Sequence, residues 1–327
     1  MPSNIPMQKN PNISKNIQEV VINNPRTANE ELVWVNIRDA GKKEIEFLRK
    51  KYGFELSDLQ LASATVSAQR PSLNRGKNYL FLILHFPIYA NHHIAASEVD
   101  IFVGHGFLVT LHNGNIQSLN EFFNLCKKDG DSLLAYEFES SVILLYELLS
   151  KLMKACFPLL DKNSLAINKV QETIFSDEQK KAVSEILYLR NNVINFRKIM
   201  QSHKNILTKM MEVKSSLVPH DQLKKYYKEL VDESKTIWEI LENQKEVIGI
   251  LNGTNESLLN YRLGEIMRTL TIFSVVVFSL TLTAAIFSMR AIDLPLVRMR
   301  GGFVMIMFIM AIVAVSVIGY FKSKKWL

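Results

Sequence analysis

TLTIFSVVVFSLTLTAAIFSM, Thr269 to Met289, runs for 21 residues without a charge. At about 1.5 Å per residue a helix of this length spans about 30 Å, the thickness of a bilayer's hydrocarbon core. A second charge-free run of 21 residues, GGFVMIMFIMAIVAVSVIGYF, covers Gly301 to Phe321. Arg268, Arg290, Arg300 and Lys322 bound the two runs. Two apolar runs with basic residues at both ends fit a pair of membrane spans better than a hairpin buried in a soluble core. The short loop between them carries Arg290, Arg298 and Arg300 against the single acid Asp293. An arginine at the very end of a stretch suited to hydrocarbon therefore bears on what passes through the protein.

Working outward, a two-span hairpin puts both chain ends on one side of the membrane. Lys322, Lys324 and Lys325 favour the cytoplasm for that side. The opening MPSNIPMQKNPNISKN is polar and lacks the apolar core of a signal peptide. Translocating a short loop is also far easier than translocating the large N-terminal part. The expectation is a multi-pass protein of the inner or plasma membrane with both termini cytoplasmic. Cys126 and Cys156 suit a reducing compartment. The formal charge of +7 invites a nucleic-acid reading, but no zinc-finger spacing or recognition-helix signature supports one. Basic residues beside a bilayer meet anionic lipid headgroups instead.

The chain before the spans divides by its periodicity. Residues 1–30 read as a flexible arm. ELVWVNI (31–37) is strand-like, Lys42 to Tyr52 is a charged helix, and NYLFLILHFPIY (78–89) is a buried strand stopped by Pro87. SEVDIFVGHGFLVTLHN (97–113) reads as two strands turned at Gly104-His105-Gly106. From Ser132 the apolar spacing becomes helical, with Val142, Leu145, Leu148, Leu149 and Leu152 on one face. A second long helix is expected from Lys169 to about Val218, and a third from Asp221. In the third, Leu230, Ile237, Gln244, Leu251 and Leu258 lie seven apart, with Leu241 and Ile248 between them. This partial heptad suits long helices packed side by side. Gly249, Gly253 and Gly264 each cost a helix about 1 kcal/mol, so irregularity is expected there.

The fold class is therefore an α+β membrane protein with an N-terminal α/β cytoplasmic domain, a long helical stalk and two C-terminal transmembrane helices. Its expected parts are the arm (1–30), the α/β domain (31–130), long helices and stalk (131–268), a first span (269–289), an extracytoplasmic loop (290–300), a second span (301–321) and a basic cytoplasmic tail (322–327).

Two spans cannot enclose an aqueous path, so they either anchor the protein or assemble from several copies. Gly264, Met267, Leu270, Ser274, Phe278, Thr281, Ala285 and Ser288 follow a three–four spacing and share one helical face. As a pore lining it would alternate apolar rings (Met267, Leu270, Phe278) with hydroxyl rings (Ser274, Thr281). Apolar constrictions gate by dewetting, and hydroxyl rings hold hydrated ions. The alternative is that these hydroxyls bond to their own helix backbone. No Gly-rich phosphate loop, nucleophile elbow or metalloprotease motif is present, and the seven histidines show no metal-site spacing. An enzyme is not expected, nor a tightly bound cofactor.

The C-terminal third resembles the CorA family of magnesium and divalent-cation transport proteins. The resemblance rests on EIMRTLTIFSVVVFSLTLTAAIFSM (265–289) and on the ending YFKSKKWL (320–327). LLYELLSKLMKACFPLLDKN (144–163), ILYLRNNVINFRKIM (186–200), YYKELVDES (226–234) and NYLFLILHFP also look like the family. It implies a homopentamer whose stalk helix continues into a pore-lining first span. It implies a cytoplasmic apolar constriction at Met267 and Leu270, and a polar ring at Thr281. It implies a transported divalent cation, Mg²⁺ first, with Zn²⁺, Co²⁺ and Ni²⁺ as other candidates. Glu229 and Asp232 fall where the family's stalk carries acidic residues that sense the ion. Carboxylates suit a hard cation, although acids among Lys224, Lys225 and Lys228 also serve as ordinary helix-surface partners.

At one place the chain departs from the family. The signature at the pore mouth is Gly-Met-Asn, and this chain has Ser288-Met289-Arg290. The two glutamates often found in the family's loop fall on Ile292 and Leu296, leaving Asp293 as the nearby acid. Five guanidiniums facing an axis would repel a dication by about 1–3 kcal/mol per pair at roughly 5–10 Å. Arg290 can also snorkel to headgroups, or be neutralised by Asp293. Three readings stay open: divalent-cation transport through a differently built mouth, an anion-conducting channel, or a non-conducting membrane-tethered sensor or regulator.

Overall fold

The computed structural model describes residues 14–22, 31–63, 69–128, 140–176, 179–212, 220–289, 301–324 and 326. The chain forms two compact units, Met1–Leu251 and Asn252–Leu327.

The first unit is built on a mixed sheet. Its strands are β1 (Ile17–Ile22), β2 (Leu32–Arg38), β3 (Ser72–Arg75), β4 (Tyr79–Ala90), β5 (His93–Gly104) and β6 (Phe107–His112), in the order β1-β2-β6-β5-β4-β3. Only the β2–β6 pair is parallel among the described strands. β5 and β6 close on His105-Gly106, where Gly106 takes φ +70° and a Cβ would lie 3.1 Å from the Glu31 carbonyl oxygen. That is the turn the sequence predicts. One sheet face buries Phe81, Ile83, Phe102, Val109 and Leu111 under Leu48 of α1 (Lys42–Tyr52), Leu59 of α2 (Leu56–Leu61) and, between the two helices, Phe54. On the other face, Trp34 packs against Phe122 and Phe123 of α3 (Gln117–Lys128) at ring separations of 5.3 and 5.0 Å.

Two strand expectations need correction. Ile17–Ile22 lies inside the stretch read as a flexible arm, yet it pairs with β2 through Ile17↔Ile37 to Ile22↔Leu32. Its buried residues Ile17, Val20 and Ile22 have meaning only beside that partner. Pro87 does not stop β4, because it pairs with Ala96 and the strand continues to Ala90. β3 reaches only Leu80–Ile83, so beyond Ile83 the outer edge of β4 carries no described strand and tolerates a residue without an N–H.

The helices that follow are α4 (Ser141–Lys154), α5 (Phe157–Phe175), α6 (Gln179–Met200), α7 (His203–Glu212) and α8 (His220–Ser288). Ser140 caps α4 by accepting from the Ile143 N–H at 3.3 Å. The expected helix from Lys169 to Val218 is three helices. Gln179 Nε2 donates to the carbonyl oxygens of Ile174 (3.1 Å) and Ser176 (2.8 Å), which satisfies the end of α5 and lets the chain turn. Residues 213–218 of that expected helix lie outside the described residues, as do 132–139 of the preceding one.

α8 is one helix of 69 residues. Gly249, Gly253 and Gly264 do not interrupt it, contrary to expectation, and nothing lies within 4 Å of a Cβ added at any of them. In the first unit its seam is Tyr227, Leu230, Ser234, Ile237, Leu241, Gln244, Ile248 and Leu251, all buried and alternately three and four apart. The seam packing offsets Gly249. Tyr227 donates to the Val142 carbonyl of α4, and Gln244 Nε2 donates to Leu160 O (2.8 Å) and Ser164 Oγ (2.9 Å) of α5. Leu258, last in the expected series, is only half-buried.

The second unit holds the remainder of α8 and α9 (Gly302–Ser323). Both are long and apolar enough to cross a membrane, and their most apolar windows are 0% and 6% buried within the chain. A soluble core helix would show the reverse. The chain is a two-span membrane protein.

Candidate functional site

The apolar half of α8 has two unlike sides. Ile272, Val276, Leu280, Thr283 and Phe287 are half-buried, and Ile306, Ile309, Met310, Val313 and Val317 form the matching stripe of α9. At about 100° per residue, Met267, Leu270, Ser274, Phe278, Thr281 and Ala285 lie on the opposite side of α8. All six are exposed, as are Gly264, Ser288 and Met289. Met267 is 54%, Leu270 55% and Phe278 70% exposed, so this face has no cover within its own chain.

Six hydroxyls on this half, from Thr269 to Thr283, have their protons engaged. Ser274 Oγ donates to Leu270 O and Thr281 Oγ1 donates to Val277 O, both at 2.8 Å. Thr269, Thr271, Ser279 and Thr283 make the same bond to the carbonyl four residues back, at 2.7–3.0 Å. The two readings of the hydroxyls are thus compatible. With its hydrogen directed into the helix, a hydroxyl turns lone pairs outward and becomes an acceptor. Such a surface offers oxygen to a cation or to the hydrogens of its water shell, and no hydrogen to an anion.

α8 ends at Ser288 and Met289 follows it. Arg290 and Asp293, the other residues of the expected mouth, lie outside the described residues. In the first unit Glu229 and Asp232 are exposed on α8, and each has a partner. Tyr146 donates to Glu229 Oε2 at 2.7 Å, and Lys235 bonds Asp232 Oδ1 at 2.8 Å. The bond from Lys235 holds the Asp232 carboxyl below its usual range. No group of three His, Cys, Asp or Glu able to hold a metal occurs among the described residues. A cation at Glu229 or Asp232 would need ligands from water or from another copy.

The histidines divide more sharply than their spacing indicates. His92 sits in a turn with φ +66°, and His93 begins β5, so the two are not neighbours on one strand. His112 is buried, bonds Asn36 at 2.9 Å, and is pushed down to about 4 by burial and then by Arg38. His203 is buried with both ring nitrogens unpartnered and is likewise pushed down to about 4, chiefly by burial. Sequence reasoning also passed over Glu98 and Asp100 of β5. Their alternation with Phe102 on one strand face is the signal, since it sets carboxylates where the pattern predicts core.

The family model described as CorA-like Mg²⁺ transporter protein matches residues 29–324. The cobalt/magnesium transport protein CorA of Thermotoga maritima is 22% identical over 303 residues, covering 90% of this chain and 83% of that protein. The complete structure of the CorA magnesium transporter from Methanocaldococcus jannaschii superposes with a TM-score of 0.81 at 19% identity, over 90% of this chain and 92% of that one. The full-length CmaX protein gives 0.72 at 17% identity, over 96% and 99%. At these identities the superpositions establish the fold.

Proposed function

The chain belongs to the CorA-like Mg²⁺ transporter family, and from that premise we propose that it passes a divalent cation, Mg²⁺ first, through a pore lined by α8. The observation that carries the choice of a cation is the orientation of the hydroxyls. Ser274 and Thr281 commit their protons to Leu270 and Val277, which leaves rings of acceptors suited to a hydrated cation and unsuited to chloride. This reading is transport, with no catalytic step.

Two spans per chain cannot surround a path, so several copies contribute the exposed face, five by the family resemblance. Met267 and Leu270 form the apolar constriction that closes by dewetting, with Gly264 before it. Phe278 adds a further apolar ring, Thr281 a hydroxyl ring, and Ala285 a wider section toward Ser288 and Met289. Arg290 and Asp293 form the mouth in place of an asparagine ring. With both termini cytoplasmic, a potential negative inside contributes about 2.3 kcal/mol per charge per 100 mV to inward movement. Rings that hold ions through their water discriminate weakly, so Zn²⁺, Co²⁺ and Ni²⁺ are expected to follow Mg²⁺. Glu229 and Asp232 act in closure by exchanging Tyr146 and Lys235 for the ion.

The arginines keep the anion channel as the second reading. Flux into liposomes at negative interior potential, with MgCl₂ inside or outside and an impermeant counter-ion, separates the two. Mg²⁺ uptake supports the proposal. Chloride movement alone replaces it with the anion channel, and sealed vesicles with intact oligomers leave the protein a membrane-tethered regulator.

A further inference from the structure

The described methionines fall into distinct environments. Met153, Met200 and Met210 are buried in the first unit, whereas Met267, Met289, Met305 and Met307 are exposed. Met305 and Met307 lie within the apolar run of α9, where their sulfurs meet hydrocarbon, and Met289 follows the extracytoplasmic end of α8. Met267 alone of these four stands at the cytoplasmic end of a span. Its neighbours mark the level of water there. Arg268 donates to Glu265 Oε1 at 3.2 Å, Tyr261 donates to the same oxygen at 3.3 Å, and both charged side chains are part-exposed.

The approach to Met267 from the cytoplasm is also open. One turn nearer that side on the same helical face is Gly264, which is exposed and has nothing within 4 Å of an added Cβ. No side chain one turn below therefore screens the thioether within its own chain. Leu270, the other member of the apolar constriction, carries no atom that an oxidant attacks. A thioether does, and its oxidation turns a flexible apolar side chain into a polar one.

We propose that Met267 is a reversible oxidation site, at which a cytoplasmic hydroperoxide converts the thioether to the sulfoxide and so wets the constriction. The inference rests on the reading of Met267 and Leu270 as the gate. In the step, a sulfur lone pair attacks the terminal peroxide oxygen, the O–O bond breaks and an S–O bond forms. The leaving oxygen takes the proton of the transferred hydroxyl and departs as water or an alcohol. Sulfur gives up an electron pair and the peroxide takes it. A ring that closes by expelling water loses that means of closure once its side chains are polar. The sulfoxide oxygens are acceptors, so they extend the surface offered by Ser274 and Thr281 toward the cytoplasm. Methionine sulfoxide reductases remove the oxygen again at the expense of thiols, which makes the change a switch.

The test treats the full chain, purified in detergent, with hydrogen peroxide and then reconstitutes it for Mg²⁺ leak. Trypsin cuts after Arg262 and Arg268, so the peptide 263–268 reports Met267 as its only methionine. By mass spectrometry Met267 should take up oxygen at least about ten-fold faster than Met305 and Met307. Basal leak should rise several-fold in step with that peptide, and a methionine sulfoxide reductase with dithiothreitol should return both. Met267→Leu should abolish the response, read as the ratio of leak after peroxide to leak before it in the same protein. Gly264→Leu, which puts a side chain across the approach, should slow the oxidation of Met267. Oxidation of Met267 no faster than that of Met305 and Met307 would overturn the site, as would an equal peroxide response in Met267→Leu. A protein that carries Mg²⁺ yet shows no added leak with Met267 fully oxidised overturns this inference and leaves the conduction proposal standing. Vesicles sealed to Mg²⁺ both before and after full oxidation remove the two together.

Discussion

The two parts of α8 follow opposite rules. Up to Leu251, positions three and four apart are buried, and Tyr227 and Gln244 of the seam donate to other helices, Gln244 to Leu160 and Ser164. From Thr269 onward large apolar side chains such as Leu270, Phe273, Phe278 and Leu282 are exposed, and hydroxyls bond inward to their own backbone. In water, burial of the apolar stripe holds a helix in place. In hydrocarbon, exposed apolar residues cost nothing and backbone and hydroxyl groups must be satisfied locally. An identical leucine therefore contributes stability in one part and, by our proposal, gating in the other.

The largest effect expected from this contrast is at Leu241, which is fully buried. Leu241→Ala should cost about 2–5 kcal/mol in unfolding free energy. Leu270→Ala, exposed in its own chain, should leave denaturant stability nearly unchanged and raise basal Mg²⁺ leak. Equal stability losses at both positions would erase the distinction.

Acid should next separate the units, because all seven histidines precede Leu251. His112 and His203 are neutral in the folded unit down to about pH 4, whereas an unfolded histidine binds a proton near pH 6.5. The unfolded state thus takes up protons first as pH falls. Stability is present above about pH 6.5, declines by up to about 3 kcal/mol per histidine toward pH 4, and is then unaffected by these two groups. Circular dichroism melts from pH 7.5 to 4 measure this, and His112→Gln with His203→Phe should flatten the profile.

A smaller change is expected at the mouth. Arg290→Asn removes about 1–3 kcal/mol of repulsion per pair if the guanidiniums face the axis, and should raise divalent flux several-fold. Unchanged flux with an intact oligomer would mean that Arg290 turns to headgroups. The smallest effect belongs to Gly264→Ala. Nothing obstructs a Cβ there within the chain, so helix propensity should gain about 1 kcal/mol with the helix path unaltered.

How much of this could be read from the residues depended on whether a feature was periodic. The spans declared themselves through two charge-free runs, and the seam from Leu230 to Leu251 through its sevens. β1 did not, because IQEVVI is a strand only by virtue of β2 beside it. The breaks between α5, α6 and α7 turn on one or two residues, such as Gln179 reaching back to Ile174 and Ser176, and helical periodicity runs through such breaks without a sign. The candidate lining face was legible as a spacing. The direction of its hydroxyl hydrogens was not, and by our proposal that direction favours a cation over an anion. Asp100 was passed over although it shares a strand face with Phe102, because an acid on a core-facing position stands out only once the face is known to be covered.

The claim that most needs a direct test is that the face bearing Ser274 and Thr281 is the lumen. Cys126 and Cys156 are both buried, so single cysteines can be read against a quiet background. Thr281→Cys and Ser274→Cys would be compared with Val276→Cys on the opposite side of α8, each reconstituted and exposed to a charged methanethiosulfonate during Mg²⁺ flux. The account predicts rapid block at 274 and 281 and none at 276. Block at 276 with 274 and 281 unreactive would contradict it.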